Sequence, residues 1–264
     1  MKNRIFVLMK HLMLLKQVIF ILFITFLLAG CDTPAKKVET KEGQYENILF
    51  IGNSYTYRNG GVDYHLRNLS TGMKGTKTKY VTRAAKGKYH LNMHWSDSKT
   101  WLKLISKKWD KIILQEYSTG PLKETKKFMR YGKKWGGRLM RMNPTTQIYL
   151  FSTWGYKKSN LMTDSIYNQY SKLESEINAS TIPVGLMWKD LKNKVNLYDG
   201  DGAHPNWKGT FISACLFYEY IYKKDVRETT NNDIKLSIEM QTRLKEWAHD
   251  FYKDYQDNET KAIL

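Results

Sequence analysis

The chain has 264 residues, a formal charge of +18, and 42% hydrophobic and 14% aromatic residues. That composition excludes a disordered chain, and the length beyond the first thirty residues suits one domain with a sizeable core. The lysines are scattered, as at Lys74, Lys77 and Lys79, without the interleaved aromatics of a nucleic-acid binder, so no nucleic-acid partner is expected.

Residues 1–30 read as an export signal. The eleven residues Val18–Leu28, apolar but for Thr25, follow a basic stretch and are too few for a membrane span, which needs about 20. The tail Leu28-Ala29-Gly30-Cys31 resembles a bacterial lipobox, which implies lipidation of Cys31 and a membrane-anchored, exported product. Met9 or Met13 could be the true start without changing that product. Cleavage would remove Lys2, Arg4, Lys10 and Lys16 and leave a charge of +14. Residues 31–45 are polar and read as a tether, and residues 46–264 as the folded domain. Cys215, in a strongly apolar run, reads as a small core residue.

Along the body, five short β-rich runs recur: Ile48–Gly52, Lys79–Thr82, Lys111–Gln115, Gln147–Ser152 and Ile182–Leu186. Helical spacing falls between them at Val62–Met73, Thr100–Lys107, Lys123–Met142 and Asp164–Asn178. The alternation predicts an α/β fold with a parallel sheet covered on both faces, its site beyond the carboxyl ends of the strands. A loop at Asn193–Pro205 precedes a helix from Trp207 to about Tyr222, then an amphipathic helix from about Ile234 to Tyr255.

The first strand runs straight into Gly52-Asn53-Ser54. A serine on the turn ending a central strand is exposed, with backbone N–H groups able to face an oxyanion. The same tripeptide is also ordinary turn chemistry. Near the other end stands Asp201-Gly202-Ala203-His204-Pro205. A serine needs a base such as His204, and the imidazole needs a carboxylate to fix its tautomer. Asp201 can supply it from the same loop, with Asp199 as a rival.

Taken together, ILFIGNSYT and DGAHPNWKGT resemble the two end blocks of the SGNH (GDSL-type) hydrolase superfamily. The resemblance extends from about Asn47 to Tyr222 through Trp109–Ser118 and the pair Thr153-Trp154, and is nearest to an exported lipoprotein branch. It implies a three-layer α/β/α sandwich with about five parallel strands, flavodoxin-like. It also implies a Ser54–His204–Asp201 triad that hydrolyses a carboxylic ester without a cofactor. Two further blocks of the superfamily supply oxyanion donors beside the Ser54 N–H. Gly87 stands at the first. At the second the usual Gly-x-Asn-Asp is replaced by Leu114-Gln115-Glu116, so Gln115 is expected to donate in place of the asparagine, with a structural hydrogen-bonding role at the strand end as the alternative.

Asn53, Tyr55, Tyr117, Trp154 and His94 are candidates to line the substrate cleft, although the aromatic ones would serve packing equally well. His90 and His94 lie four apart, but Leu91 stands where the zinc-protease pattern needs glutamate and no third ligand is evident, so no metal is expected. The expected substrate is a small-molecule or glycan ester, with O-acetyl groups on carbohydrate favoured by the surface location. Acyl transfer to a cell-surface glycan, and a non-catalytic lipoprotein that keeps the fold, are the alternatives.

Overall fold

The structure, a computed structural model, describes residues 45–71, 78–159, 161–230 and 234–263. The expected signal segment, Cys31 and all of the expected tether except Tyr45 lie outside the described residues.

Five strands form one parallel sheet in the order β2-β1-β3-β4-β5: β1 (Tyr45–Gly52), β2 (Thr78–Ala85), β3 (Lys111–Leu114), β4 (Gln147–Phe151) and β5 (Ser180–Ile182). Side chains on a strand alternate between its faces. Ile48 and Phe50 therefore join one core with Ile113, Tyr149 and Phe151, while Leu49 and Ile51 join the other with Ile112, Leu114, Ile148 and Leu150. Because both faces are buried, the central strands carry continuous apolar runs, Ile48–Ile51, Ile112–Leu114 and Ile148–Phe151, rather than alternating.

The first core is closed by α2 (Val62–Leu69), α8 (Val184–Asp190), α9 (Trp207–Tyr222) and α10 (Ile238–Ile263). The second is closed by α3 (Leu91–Trp95), α4 (Ser98–Ile105), α6 (Thr125–Met142) and α7 (Met162–Glu174). The single turns α1 (Ser54–Tyr57) and α5 (Gly120–Lys123) follow β1 and the loop after β3. This is the expected three-layer α/β/α sandwich. α9 is apolar nearly all round because α2, α8 and α10 pack around it. Cys215 is fully buried there, and burial pushes its thiol well above the ordinary range.

The fifth strand departs from expectation. It runs over Ser180–Ile182 rather than Ile182–Leu186, sharing only Ile182 with the expected run, because Pro183 has no N–H to give a ladder and the chain turns at once into α8. The Gly185 N–H then donates to the Ser152 carbonyl at 3.0 Å, which ties α8 to the end of β4. The last helix begins at Ile238, where the Ser237 hydroxyl accepts the Met240 N–H at 3.2 Å and marks the N-terminus. The short α3 was not legible in the sequence.

Candidate active site

The site is built where β1 ends. At Gly52 a Cβ would lie 2.5 Å from Thr56 Oγ1 and 2.6 Å from Gln115 Oε1, so only glycine lets the chain fold back there. Asn53 caps α1, its Oδ1 accepting the Tyr55 N–H at 3.1 Å, while its own N–H donates to Gln115 Oε1 at 2.9 Å. Its Nδ2 donates to the Tyr89 carbonyl at 3.0 Å. Ser54 is thus held at the first position of a one-turn helix, partly exposed at the carboxyl edge of the sheet.

The second half is a tight loop between α8 and α9. Gly202 adopts φ +66°, a left-handed conformation that glycine takes without strain. Asp201 Oδ1 accepts the N–H groups of Ala203 at 2.9 Å and His204 at 2.8 Å, and Oδ2 lies 2.5 Å from His204 Nδ1. A carboxylate only accepts, so Nδ1 carries the proton and Nε2 is left to accept. Nε2 lies 2.9 Å from Ser54 Oγ. Burial pulls the Asp201 carboxyl upward, but the hydrogen bonds from the His204 ring and from the Ala203 and His204 amides outweigh it and hold the group at about 2. Of the two acids the sequence left open, Asp201 faces His204. Asp199 lies 3.6 Å from Arg58 instead.

Aromatic packing holds this loop in place. The Trp154 indole donates to the Ala203 carbonyl at 2.9 Å. Trp154 stacks on Trp188 with centroids 3.6 Å apart, and Tyr55 stacks on its other side at 4.7 Å. The Tyr55 ring also meets the His204 ring edge-on at 5.5 Å. Asn59, between α1 and α2, donates to the Pro205 carbonyl at 2.8 Å and to Thr210 Oγ1 at 3.0 Å, joining the serine side to the histidine side.

Gly87 is exposed in the loop after β2, drawn toward β1 by the Lys86 N–H on the Gly52 carbonyl at 3.2 Å. Neither the Ser54 nor the Gly87 N–H donates to an acceptor among the described residues. Gln115 differs from expectation. It is buried, its Oε1 accepts from the Asn53 N–H and from Thr56 Oγ1 at 3.0 Å, and its Nε2 donates to the Glu116 carbonyl. Because Oε1 faces a backbone donor, the amide cannot be turned round, and one of its two Nε2 hydrogens is taken by the Glu116 carbonyl. Gln115 braces the serine turn from below.

Four of the five expected cleft residues are likewise buried: Asn53, Tyr55, Trp154 and His94 support the site from behind. His94 Nε2 donates to the Gly52 carbonyl at 2.7 Å and Nδ1 lies 2.9 Å from Thr100 Oγ1, so both ring nitrogens are engaged and neither is open to a metal. Burial pushes its imidazole down to about 4. Tyr117 is partly exposed and stacks on His90 at 4.7 Å. Beneath them the buried Glu116 accepts from the Tyr117 and Leu91 N–H groups at 2.7 and 3.2 Å and lies 2.9 Å from His90 Nδ1. Elsewhere, Glu219, Asp225 and His249 come together, but Glu219 accepts from Val226 and pairs with His249, and Asp225 is held by Arg227. The cluster pins α9 to α10.

No family model matches the chain, and no curated protein matches it. Solved structures do. A protein from Slackia heliotrinireducens described as an SGNH hydrolase superposes with a TM-score of 0.57 at 21% identity, covering 67% of this chain and 99% of that one. A DUF4886 family protein from Bacteroides uniformis gives 0.58 at 15%, covering 78% and 94%. A variant of an acetyl xylan esterase from Geobacillus stearothermophilus gives 0.52 at 16%, covering 67% and 94%. The fold is that of the SGNH-type hydrolases. Within this SGNH-type fold, Ser54 comes from the turn after the first strand and His204 and Asp201 from the loop before α9, meeting at the carboxyl edge of the sheet.

Sequence reasoning missed Trp188, Asn59 and Glu116. Trp188 and Asn59 act across long stretches of chain, and only a charged residue directly after an apolar strand end hinted at Glu116.

Proposed function

We propose that the protein is a serine esterase that removes short acyl groups, acetyl above all, from carbohydrate at the cell envelope. The observation that carries this reading is the unbroken hydrogen-bonded line from Asp201 through His204 Nε2 to Ser54 Oγ. In the first step His204 Nε2 takes the Ser54 proton as Oγ attacks the ester carbonyl, whose π electrons move to oxygen. The N–H groups of Ser54 and Gly87, which have no acceptor among the described residues, are the donors this reading assigns to that oxyanion. Collapse breaks the C–O bond, and His204 returns the proton to the leaving alcohol. Water, deprotonated by the same nitrogen, then releases the acid and regenerates Ser54. Asp201 keeps Nδ1 protonated and balances the imidazolium charge.

Two features support a short acyl group. Tyr55 and Trp154 are packed closed behind the serine, so no apolar slot for a long chain opens between them. Ser54 is partly exposed and Gly87 fully so, which lets a bulky alcohol such as a glycan approach. The same openness lets water reach the acyl-enzyme and favours hydrolysis over transfer to a second hydroxyl. The acetyl xylan esterase likeness agrees with acetylated carbohydrate. Lipidation at Cys31 would hold the enzyme on the outer face of a membrane.

Purified protein should hydrolyse p-nitrophenyl acetate faster than the octanoate and release acetate from acetylated xylan, and Ser54→Ala should abolish both. Equal turnover by Ser54→Ala would remove the assignment of the nucleophile. A preference for octanoate would remove the assignment of substrate.

A further inference from the structure

The edge of the sheet opposite Ser54 carries an unusual surface. α4 descends from the carboxyl end of β2 to the start of β3, so Ile105 and the loop after it lie at the edge where the strands begin. Leu102 and Ile105, three apart and on one helix face, are 63% and 62% exposed. Met142, ending α6 at the same edge, is also exposed. At the same edge a crevice of about 370 Å³ is walled by Leu104, Trp109, Ile112, Leu139 and Met142 and flanked by Lys107 and Lys108. Lys107, Lys108 and Arg141 form no ion pair with any described residue; Lys107 instead lies 3.7 Å from the centroid of the Tyr80 ring.

The described chain enters at this edge. β1 starts at Tyr45, and two residues on, Asn47 Nδ2 donates to the Lys108 carbonyl at 3.0 Å. Thirteen residues separate Cys31 from Tyr45, an extended reach of at most about 45 Å. Apolar side chains that would enter the acyl boundary, unpaired cations that would meet lipid phosphates, and the entry point of the chain thus share one edge.

We infer that the edge formed by Leu102, Ile105, Met142, Lys107, Lys108 and Arg141 is a docking surface for an anionic bilayer. It holds the domain with Ser54 facing away from the membrane. The inference rests on the reading that Cys31 anchors the chain, and it adds an orientation that the anchor alone does not impose. It directs the enzyme to esters carried outward of the membrane rather than to lipids within it.

The test uses the full chain with an environment-sensitive fluorophore on Ile105→Cys. Cys215 is buried and leaves the introduced thiol to react alone when Cys31 is lipidated. With phosphatidylcholine–phosphatidylglycerol vesicles the label should shift to the blue and be quenched by a bilayer-embedded quencher. A label on Lys158→Cys, exposed in the loop between β4 and α7, should do neither. Adding Leu102→Asp, Lys107→Glu and Lys108→Glu should abolish the shift while p-nitrophenyl acetate hydrolysis persists. A label at position 105 that stays as wet as the one at 158 would overturn the docking surface. Flotation of the same samples reports the anchor separately: a chain that floats with a wet position 105 is anchored but not docked.

Discussion

Trp154 reaches from the end of β4 to the Ala203 carbonyl, 2.9 Å away, and so fixes the backbone between Asp201 and His204 from a residue that touches neither. The stack of Tyr55, Trp154 and Trp188 keeps that indole from turning. Trp154→Phe keeps much of the stack and removes the hydrogen bond, worth about 1 kcal/mol. The expected outcome is a fall in kcat of up to about tenfold with KM little changed. Steady-state kinetics on p-nitrophenyl acetate would show a rise in KM alone if Trp154 served substrate binding instead.

The two acids near His204 should separate sharply. Asp201→Asn leaves the loop's shape but removes the acceptor that fixes the imidazole tautomer, and should lower kcat by about 10⁴-fold. Asp199→Asn disturbs only an exposed contact with Arg58 and should cost at most a few-fold. Equal losses in the two variants would contradict the assignment of the acid.

Gln115 offers a test that reads stability as well as rate. Gln115→Leu leaves the buried Asn53 N–H without its acceptor, so unfolding in urea should shift by about 1–3 kcal/mol while kcat falls. A loss of about 10²–10³ in kcat at an unchanged unfolding midpoint would instead mark an oxyanion donor.

His94 gives a pH signature. Its folded imidazole titrates at about 4 because burial disfavours the cation, whereas the unfolded side chain titrates near the ordinary value of about 6.5. Between these values the unfolded chain binds the proton and the folded chain does not. The stability contributed by neutral His94 is therefore complete above about pH 6.5 and lost as pH falls to about 4, by up to about 3 kcal/mol. His94→Gln, which can still donate to the Gly52 carbonyl, should flatten urea midpoints measured across that window. Parallel pH curves for the two proteins would assign the effect elsewhere.

The sheet was legible in the sequence because buried parallel strands need continuous apolar runs, and Ile48–Ile51 and Ile112–Leu114 supply them. The serine turn and the Asp201–His204 loop were legible because each is a local motif with its own chemistry. The partners of Gln115 and Trp154 were not. An amide at a strand end can donate or accept, and only the position of Asn53 N–H decides which. An indole after a strand can line a cleft or brace a loop, and only the arrival of Ala203 from forty-nine residues away decides that. Strand β5 lies ahead of the run that predicted it, because the apolar residues after Pro183 have the same composition in a helix as in a strand.

Because Asp201 and His204 lie in one four-residue turn, the triad has a single distant junction to complete: the Ser54–His204 contact, spanning 150 residues. Contacts that close long stretches of chain are slow to form. Recovery of ester hydrolysis after dilution from urea should therefore trail the recovery of helical circular dichroism, making turnover a reporter of the last step of folding.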